Sequence, residues 1–249
     1  MDTFSSFQDY CEAMRELTTT VNDPQEIVSE GQKIQARLVA DPSLILDQLA
    51  AFIAGDKDSM YWPVDLNDLT LYRDKDKLFS VRLFVWEAHT PYPIHDHGAW
   101  GVVGGLANQV RESKYHRLDD GSREGYAELK IKSEAVLHPG ETTWVLPLND
   151  GIHRMEAVGD TTGLTLHTYG RPVRTGFINS FMYQSHGVYK LYPMRTHRQI
   201  LAVKALESIG GGQSKDILEQ ISRDNNQIIK DVSLKALKNI SSLEYEPSP

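Results

Sequence analysis

Between about residue 66 and residue 190 the chain breaks into short runs of Val, Ile, Leu, Tyr, Phe and Trp, separated by Gly, Pro and Asp turns. Leu78 to Trp86, Trp100 to Val103, Ala127 to Ile131, Thr143 to Leu146 and Leu164 to Tyr169 are such runs. Many short strands at this spacing are the pattern of a β-sandwich or barrel. The flanks obey a different period. Ile27, Val28, Ile34 and Leu38, then Leu44, Leu46, Leu49 and Phe52, recur at helical spacing, with a break and a new helix start at Asp41-Pro42-Ser43. From about Arg195 the helical period returns. The expected organisation is therefore an N-terminal helical segment over 1–60, a barrel over 61–193 and a helical extension over 194–249.

Within that extension Lys204 to Ile209, KALESI, recurs as Lys235 to Ile240, KALKNI, displaced by 31 residues and preceded by Gly210-Gly211-Gly212. The pair resembles a short HEAT-type repeat, whose helices bury their apolar face by stacking on a neighbour. Two ordinary Lys/Ala/Leu helices would read the same way.

Composition narrows the class of partner. The chain has 249 residues, 40% of them hydrophobic and 24% charged, as in ordinary soluble globules. Its net charge is −8 and no Lys/Arg cluster stands out, which argues against nucleic acid. No apolar run reaches the length of a membrane span, and the N-terminus lacks the basic and apolar regions of a secretory signal. The single cysteine, Cys11, excludes an internal disulfide and a Cys-rich zinc site, and fits a reducing cytoplasm.

Nine histidines occur, and four of them fall at informative places in the β zone. His95 and His97 lie in YPIHDHGAWGVVG, just before an apolar run. Side chains alternate along a strand, so both imidazoles project to one side, about 7 Å apart along the strand, and Asp96 points away. They can share one ion. A third ligand is available from LHPGETTWVLPLNDGIHRMEAVG, Leu137 to Gly159: a tight turn at Pro139-Gly140-Glu141, a strand, a second turn at Asn149-Asp150-Gly151, then His153 opening the next strand. A lone histidine is more often a satisfied polar residue than a ligand; the turn-to-strand setting of His153 is what raises its standing. The fourth, His167, lies in LTLHTYG, where period 2 puts Thr165, His167 and Tyr169 on one face.

The HxH strand, the Pro-Gly-Glu turn and the later strand-borne histidine resemble the two halves of a cupin, a double-stranded β-helix barrel. The usual first cupin motif carries a glutamate four or five residues after its second histidine. Gly101 and Val102 occupy those positions here, and Glu112 lies too far along by register. Three histidines without a carboxylate are the pattern of the thiol dioxygenases, the cysteine dioxygenase and 3-mercaptopropionate dioxygenase group. NDGIHRMEAV resembles that group's third-ligand segment, and Thr165-x-His167-x-Tyr169 its Ser-His-Tyr string, with threonine for serine. The resemblance covers roughly residues 60–190.

The resemblance implies Fe(II) held by His95, His97 and His153, with Thr165, His167 and Tyr169 around it. It implies an arginine for the substrate carboxylate, with Arg73 in LYRD first and Arg174 and Arg171 as rivals. Members that crosslink a cysteine to the tyrosine place that cysteine where Gly101-Val102 stands, so no crosslink is expected. Three neutral imidazoles leave iron with open positions for a thiolate and dioxygen; the substrate would be a small thiol such as cysteine or 3-mercaptopropionate and the product its sulfinic acid. Other metal-dependent cupin chemistry with Mn, Ni or Zn, such as a different oxygenation, isomerisation or hydrolysis, and a non-catalytic ligand-binding cupin are the alternatives. The C-terminal helices leave a homo-oligomer or a protein contact open.

Overall fold

A computed structural model describes residues 4–53, 67–209, 211–223 and 226–243. The chain divides into two compact units, Met1–Lys190 and Leu191–Pro249. The boundary expected near residue 60 lies outside the described residues.

The first unit begins with helices α1 (Phe7–Thr20), α2 (Pro24–Val39) and α3 (Leu46–Ile53), with a 3-10 turn over Pro42–Ile45. Local chemistry sets their starts. Ser6 Oγ accepts from Asp9 N at 3.1 Å, Asp23 caps α2 with Pro24 at its first position, and Asp41 Oδ1 accepts from Ser43 N at 3.0 Å. Phe7, Tyr10, Met14 and Leu17 form one buried stripe on α1; Ile27, Val28, Gly31, Gln35 and Leu38 form another on α2.

Eleven strands follow: β1 (Asp68–Arg73), β2 (Phe79–Trp86), β3 (Ile94–His97), β4 (Gly101–Ala107), β5 (Val110–Arg117), β6 (Leu129–Leu137), β7 (Thr142–Val145), β8 (Leu148–Ala157), β9 (Gly163–Gly170), β10 (Ile178–Met182) and β11 (Gly187–Leu191). They make two sheets, ordered β1-β2-β9-β4-β7 and β11-β10-β3-β8-β5-β6. Two antiparallel sheets, with helices before and after them in sequence, are the observed arrangement.

Alternation decides what each face does. On the five-stranded sheet Val81, Leu83, Val102 and Leu166 join Phe7, Tyr10, Met14 and Leu38 in the core under the helices. The opposite face turns Phe84, Trp86 and Val103 inward against Val110, Leu137 and Met155 of the other sheet. On the six-stranded sheet Ile94, Ile152 and Phe181 form a third cluster on the outer face. Each fully buried Leu, Phe or Met contributes roughly 1.5–3 kcal/mol. The edge strand β6 exposes Lys130, Lys132 and Glu134, charges that discourage pairing with another chain.

A buried polar knot ties the helices to β9. The Tyr10 hydroxyl donates to Gln35 Oε1 and shares a hydrogen bond with Thr168 Oγ1; Gln35 Nε2 donates to the Leu166 carbonyl at 2.8 Å. All three side chains are fully buried, so the knot satisfies groups that would be costly unpaired. It grips the strand that carries His167 and Tyr169.

The turn expected at Asn149-Asp150-Gly151 is corrected. Those residues lie inside β8, and the chain reverses earlier, at Leu146-Pro147, with Leu148 in the left-handed region at φ 60°. Gly151 is needed for closeness instead of turning: a Cβ there would stand 1.9 Å from the Leu146 carbonyl oxygen.

The second unit contains α4 (Met194–Ile209), α5 (Gly211–Ile221) and α6 (Gln227–Leu243). KALESI lies on α4 and KALKNI on α6, with α5 between them in sequence. Val203, Leu218, Ala236 and Ile240, one or two from each helix, share one small core. The described residues of the unit form a three-helix cluster, and nothing among them supports stacked HEAT-type repeats. Among the described residues no helix is long and apolar enough to cross a membrane.

Candidate metal centre

His95 and His97 occupy the second and fourth positions of β3, and His153 faces His95 directly across the β3–β8 pair. All three are buried, and their ring centroids are 4.7 to 5.0 Å apart. One ring nitrogen from each falls within 4.8 Å of the others, forming a group that could hold an ion.

The outward nitrogens are all occupied. His95 Nδ1 bonds to the Pro93 carbonyl at 3.1 Å, His97 Nδ1 to the Gly151 carbonyl at 2.9 Å and His153 Nδ1 to Glu112 Oε1 at 2.7 Å. Carbonyls and carboxylates only accept, so each Nδ1 carries the proton and Nε2 is the nitrogen left for an ion. His97 Nε2 is buried with no hydrogen-bond partner. Burial, then the neighbouring His153 and His95 rings, hold the His97 imidazole well below its ordinary range. Burial likewise lowers His153, although Glu112 opposes it. Three imidazole donors, one of them with an orphaned ring nitrogen, suit a divalent first-row cation.

Behind the trio stands a second chain of polar groups. Trp86 Nε1 donates to Thr165 Oγ1 at 2.7 Å, Thr165 Oγ1 bonds to His167 Nε2 at 2.7 Å, and His167 Nδ1 bonds to the Tyr169 hydroxyl at 2.8 Å. Burial keeps His167 well below the ordinary imidazole range, so it is neutral and has one donor and one acceptor nitrogen. The Thr165 and Tyr169 hydroxyls therefore exchange roles together. The Tyr169 ring stacks on His97 with centroids 5.5 Å apart, which joins the two constellations. Gly101 lies against that phenol: a Cβ would come 2.6 Å from Tyr169 Cε1. Cys11, the sole cysteine of the chain, is buried in the helix–sheet core on the other face, so no thioether to Tyr169 can form.

The arginines are placed differently from expectation. Arg174 forms a fork with Asp96: Nη1 donates to Oδ2 at 2.9 Å and Nη2 to Oδ1. The Asn179 backbone and side-chain amides also donate to Asp96, at 2.8 Å each. Asp96 is fully buried on the face of β3 opposite the two ligand histidines, and Arg174 is committed there. Arg171 is exposed and donates to the Asp76 and Lys77 carbonyls at 3.1 and 3.4 Å. Arg73 ends β1 and is exposed.

Two interior residues have places that the sequence did not assign to them. Arg82, on β2 with the inward parity of Phe84 and Trp86, has its guanidinium carbon 5.7 Å from the Tyr169 ring centroid. Its Nη1 donates to Asp68 Oδ2 at 2.7 Å, while its Nε is buried and has no hydrogen-bond partner. One charged residue inside FSVRLFVW was the available signal. The other is Glu112, which stands behind His153; nothing local marks it, because its partner is 41 residues away.

No protein-family profile matches the chain. Solved structures overlap it in part. A DMSP lyase structure is similar at 20% identity and TM-score 0.26, over 37% of this chain and 38% of that one, well under two thirds of its length. A hydroquinone 1,2-dioxygenase in complex with Cd2+ and 4-hydroxybenzonitrile is similar at 12% identity and TM-score 0.33, over 48% and 69%. A cupin superfamily protein from Desulfitobacterium hafniense is similar at 12% identity and TM-score 0.30, over 41% and 74%. At these similarities no residue role follows from them.

Proposed function

We propose that the chain is a thiol dioxygenase that holds Fe(II) through His95, His97 and His153 and converts a small thiol acid to its sulfinic acid. The supporting observation is one interior that joins a three-histidine group without a carboxylate ligand to the Trp86–Thr165–His167–Tyr169 chain. The reaction is balanced as RS− + O2 → RSO2−. Bound iron supplies the redox chemistry by which both atoms of dioxygen join the sulfur.

The chain's residues bind, orient and exclude. Phe84, Trp86, Val103 and Met155 pack as one apolar cluster inside the barrel, which favours a short substrate. Tyr169 stacks its ring on His97 and can hold or give a proton at its oxygen, which is bonded to His167. His167 aims that phenol, and Trp86 and Thr165 hold His167. Arg82 takes the carboxylate-binding role in place of Arg73, Arg171 and Arg174. Its orphaned Nε–H needs an acceptor, and a carboxylate oxygen supplies one.

Oxygen uptake by the iron-loaded protein against cysteine, 3-mercaptopropionate, mercaptosuccinate and cysteamine tests the reading. Stoichiometric sulfinate from a thiol acid is the expected result. Arg82→Lys keeps a charge for Asp68 but loses the planar fork. It should raise KM for the thiol acid by about one to two powers of ten, the worth of one charge-assisted contact, and leave cysteamine unchanged. Uptake with no thiol, under loading with iron, would reject the function and leave another metal-dependent reaction or simple ligand binding.

The phenol is tested separately. Tyr169→Phe removes one oxygen from behind the trio and leaves every metal ligand in place. Turnover should fall by about 10- to 100-fold with iron content unchanged. Equal turnover in the Phe protein would remove Tyr169 from the mechanism.

A further inference from the structure

β5 turns two charged side chains, Glu112 and Lys114, into the barrel interior, where Lys114 faces His153 across the β5–β8 pair. Thr143 and Trp144 approach from β7 in the opposite sheet. Lys114 Nζ donates to the Trp144 carbonyl at 2.7 Å and to Thr143 Oγ1 at 2.9 Å. Thr143 Oγ1 donates in turn to Glu112 Oε2 at 2.7 Å, and Glu112 Oε1 accepts from His153 Nδ1 at 2.7 Å. Lys114 Nζ lies 3.6 Å from Glu112 Oε2. Two donors, Thr143 Oγ1 and His153 Nδ1, end on the Glu112 carboxylate, which is buried with 5% exposure.

The three histidines are therefore not equivalent. His95 and His97 donate to neutral backbone carbonyls at 3.1 and 2.9 Å, whereas His153 donates to a carboxylate at the shorter distance of 2.7 Å. A charged acceptor at Nδ1 draws that proton outward and enriches Nε2 in electron density.

We propose that Glu112 is a positioning residue that locks His153 with Nε2 toward the ion and makes it the strongest donor of the three, so that the site holds a divalent first-row cation with a carboxylate one hydrogen bond removed. Glu112 thus supplies charge that a directly ligating glutamate would otherwise bring, while leaving a coordination position free. The inference rests on the metal-site part of the function proposed above and is independent of which substrate is oxidised.

The test uses the full chain, stripped of metal and titrated with Zn(II) or Co(II) against a competing chelator. Glu112→Gln keeps the size and an acceptor oxygen but loses the charge. Its affinity should be about 10- to 100-fold weaker than that of the parent. In the zinc-loaded parent the His153 Nδ1 proton should resonate far downfield and exchange slowly, and Glu112→Gln should move it upfield. A purely structural role would leave the metal affinity unchanged. Lys114→Met removes the opposing cation and leaves the Glu112–His153 bond, so its affinity should equal or exceed the parent's. Should Glu112→Gln fail to fold, Thr143→Val withdraws one support from the carboxylate and should weaken binding in the same direction by less.

Unchanged affinity in Glu112→Gln overturns the proposal. So does an equal loss in Lys114→Met, which would make the cluster a seam between sheets and nothing more. If affinity falls in Glu112→Gln but no thiol is oxidised by the loaded parent, the inference stands and the dioxygenase reading fails. If thiol is oxidised and affinity is unchanged, the reverse holds. A parent that takes up neither ion overturns both.

Discussion

His97→Ala and His153→Ala proteins are expected to retain no metal after passage over a chelating resin, while the parent retains one ion per chain. Each imidazole is one of three donors, and a single deletion leaves two nitrogens, with the Glu112 carboxylate standing behind His153 and not among the three donors. The apo fold should survive. The His97 ring is buried and its Nε2 has no hydrogen-bond partner, so deleting it removes an unsatisfied group along with some packing. Metal content and thermal unfolding with and without added metal provide the check. The parent should gain about 2.7 kcal/mol at a metal concentration 100-fold above Kd, and the variants nothing.

Acid tests the same site from another side. Burial holds His97, His153 and His167 below the ordinary imidazole value of 6.5. The unfolded chain takes up protons near that value and the folded one does not. Apo stability is therefore full above about pH 6.5 and falls as pH drops through and below it. His97→Ala should flatten that decline. Full metal content in His97→Ala, or an apo protein equally stable at pH 7.5 and 5.5, would contradict the assignment.

Arg174→Ala should cost about 3 kcal/mol of stability, the lower end of the penalty for breaking a buried ion pair. Asp96 would keep only its two Asn179 hydrogen bonds for a carboxylate with no solvent access. Because Asp96 sits between His95 and His97, metal retention should weaken as well. Denaturant unfolding of the apo protein measures the first effect, and chelator competition the second. A substrate anchor would behave in the opposite way, with stability intact and only the KM for thiol acids raised. That outcome would return Arg174 to the role the sequence suggested for it.

Short-range pattern made much of this molecule legible. The HxH pair, the one-sided Thr165-His167-Tyr169 string and most strand positions follow from period 2, which is a property of the backbone alone. The helical start at Asp41-Pro42-Ser43 follows from a side-chain oxygen beside the first turn. What could not be read depends on which strands become neighbours. Asp96 looked like a spacer until β10 and the loop after β9 brought Asn179 and Arg174 to it. Glu112 failed as a ligand by register and serves through a strand pairing that no local pattern announces. Asn149-Asp150-Gly151 has turn composition, yet Gly151 is there because another carbonyl occupies the space of its side chain. Arg82 was visible as an odd charge in an apolar strand, but its inward parity had meaning only once β2 was known to line the interior.

The knot of Tyr10, Gln35 and Thr168 bears on what the smallest working piece of this protein can be. Thr168 lies between two members of the polar chain behind the metal site, so the outer face of β9 is fastened where its inner face must be held still. A fragment beginning at β1 would lay Val81, Leu83, Val102 and Leu166 open to water and strip the Leu166 carbonyl and Thr168 hydroxyl of their partners. Such a fragment would be sticky and loose at the strand that matters most. The N-terminal helices back the sheet that carries the candidate site, and designs that trim or fuse this protein must carry them along.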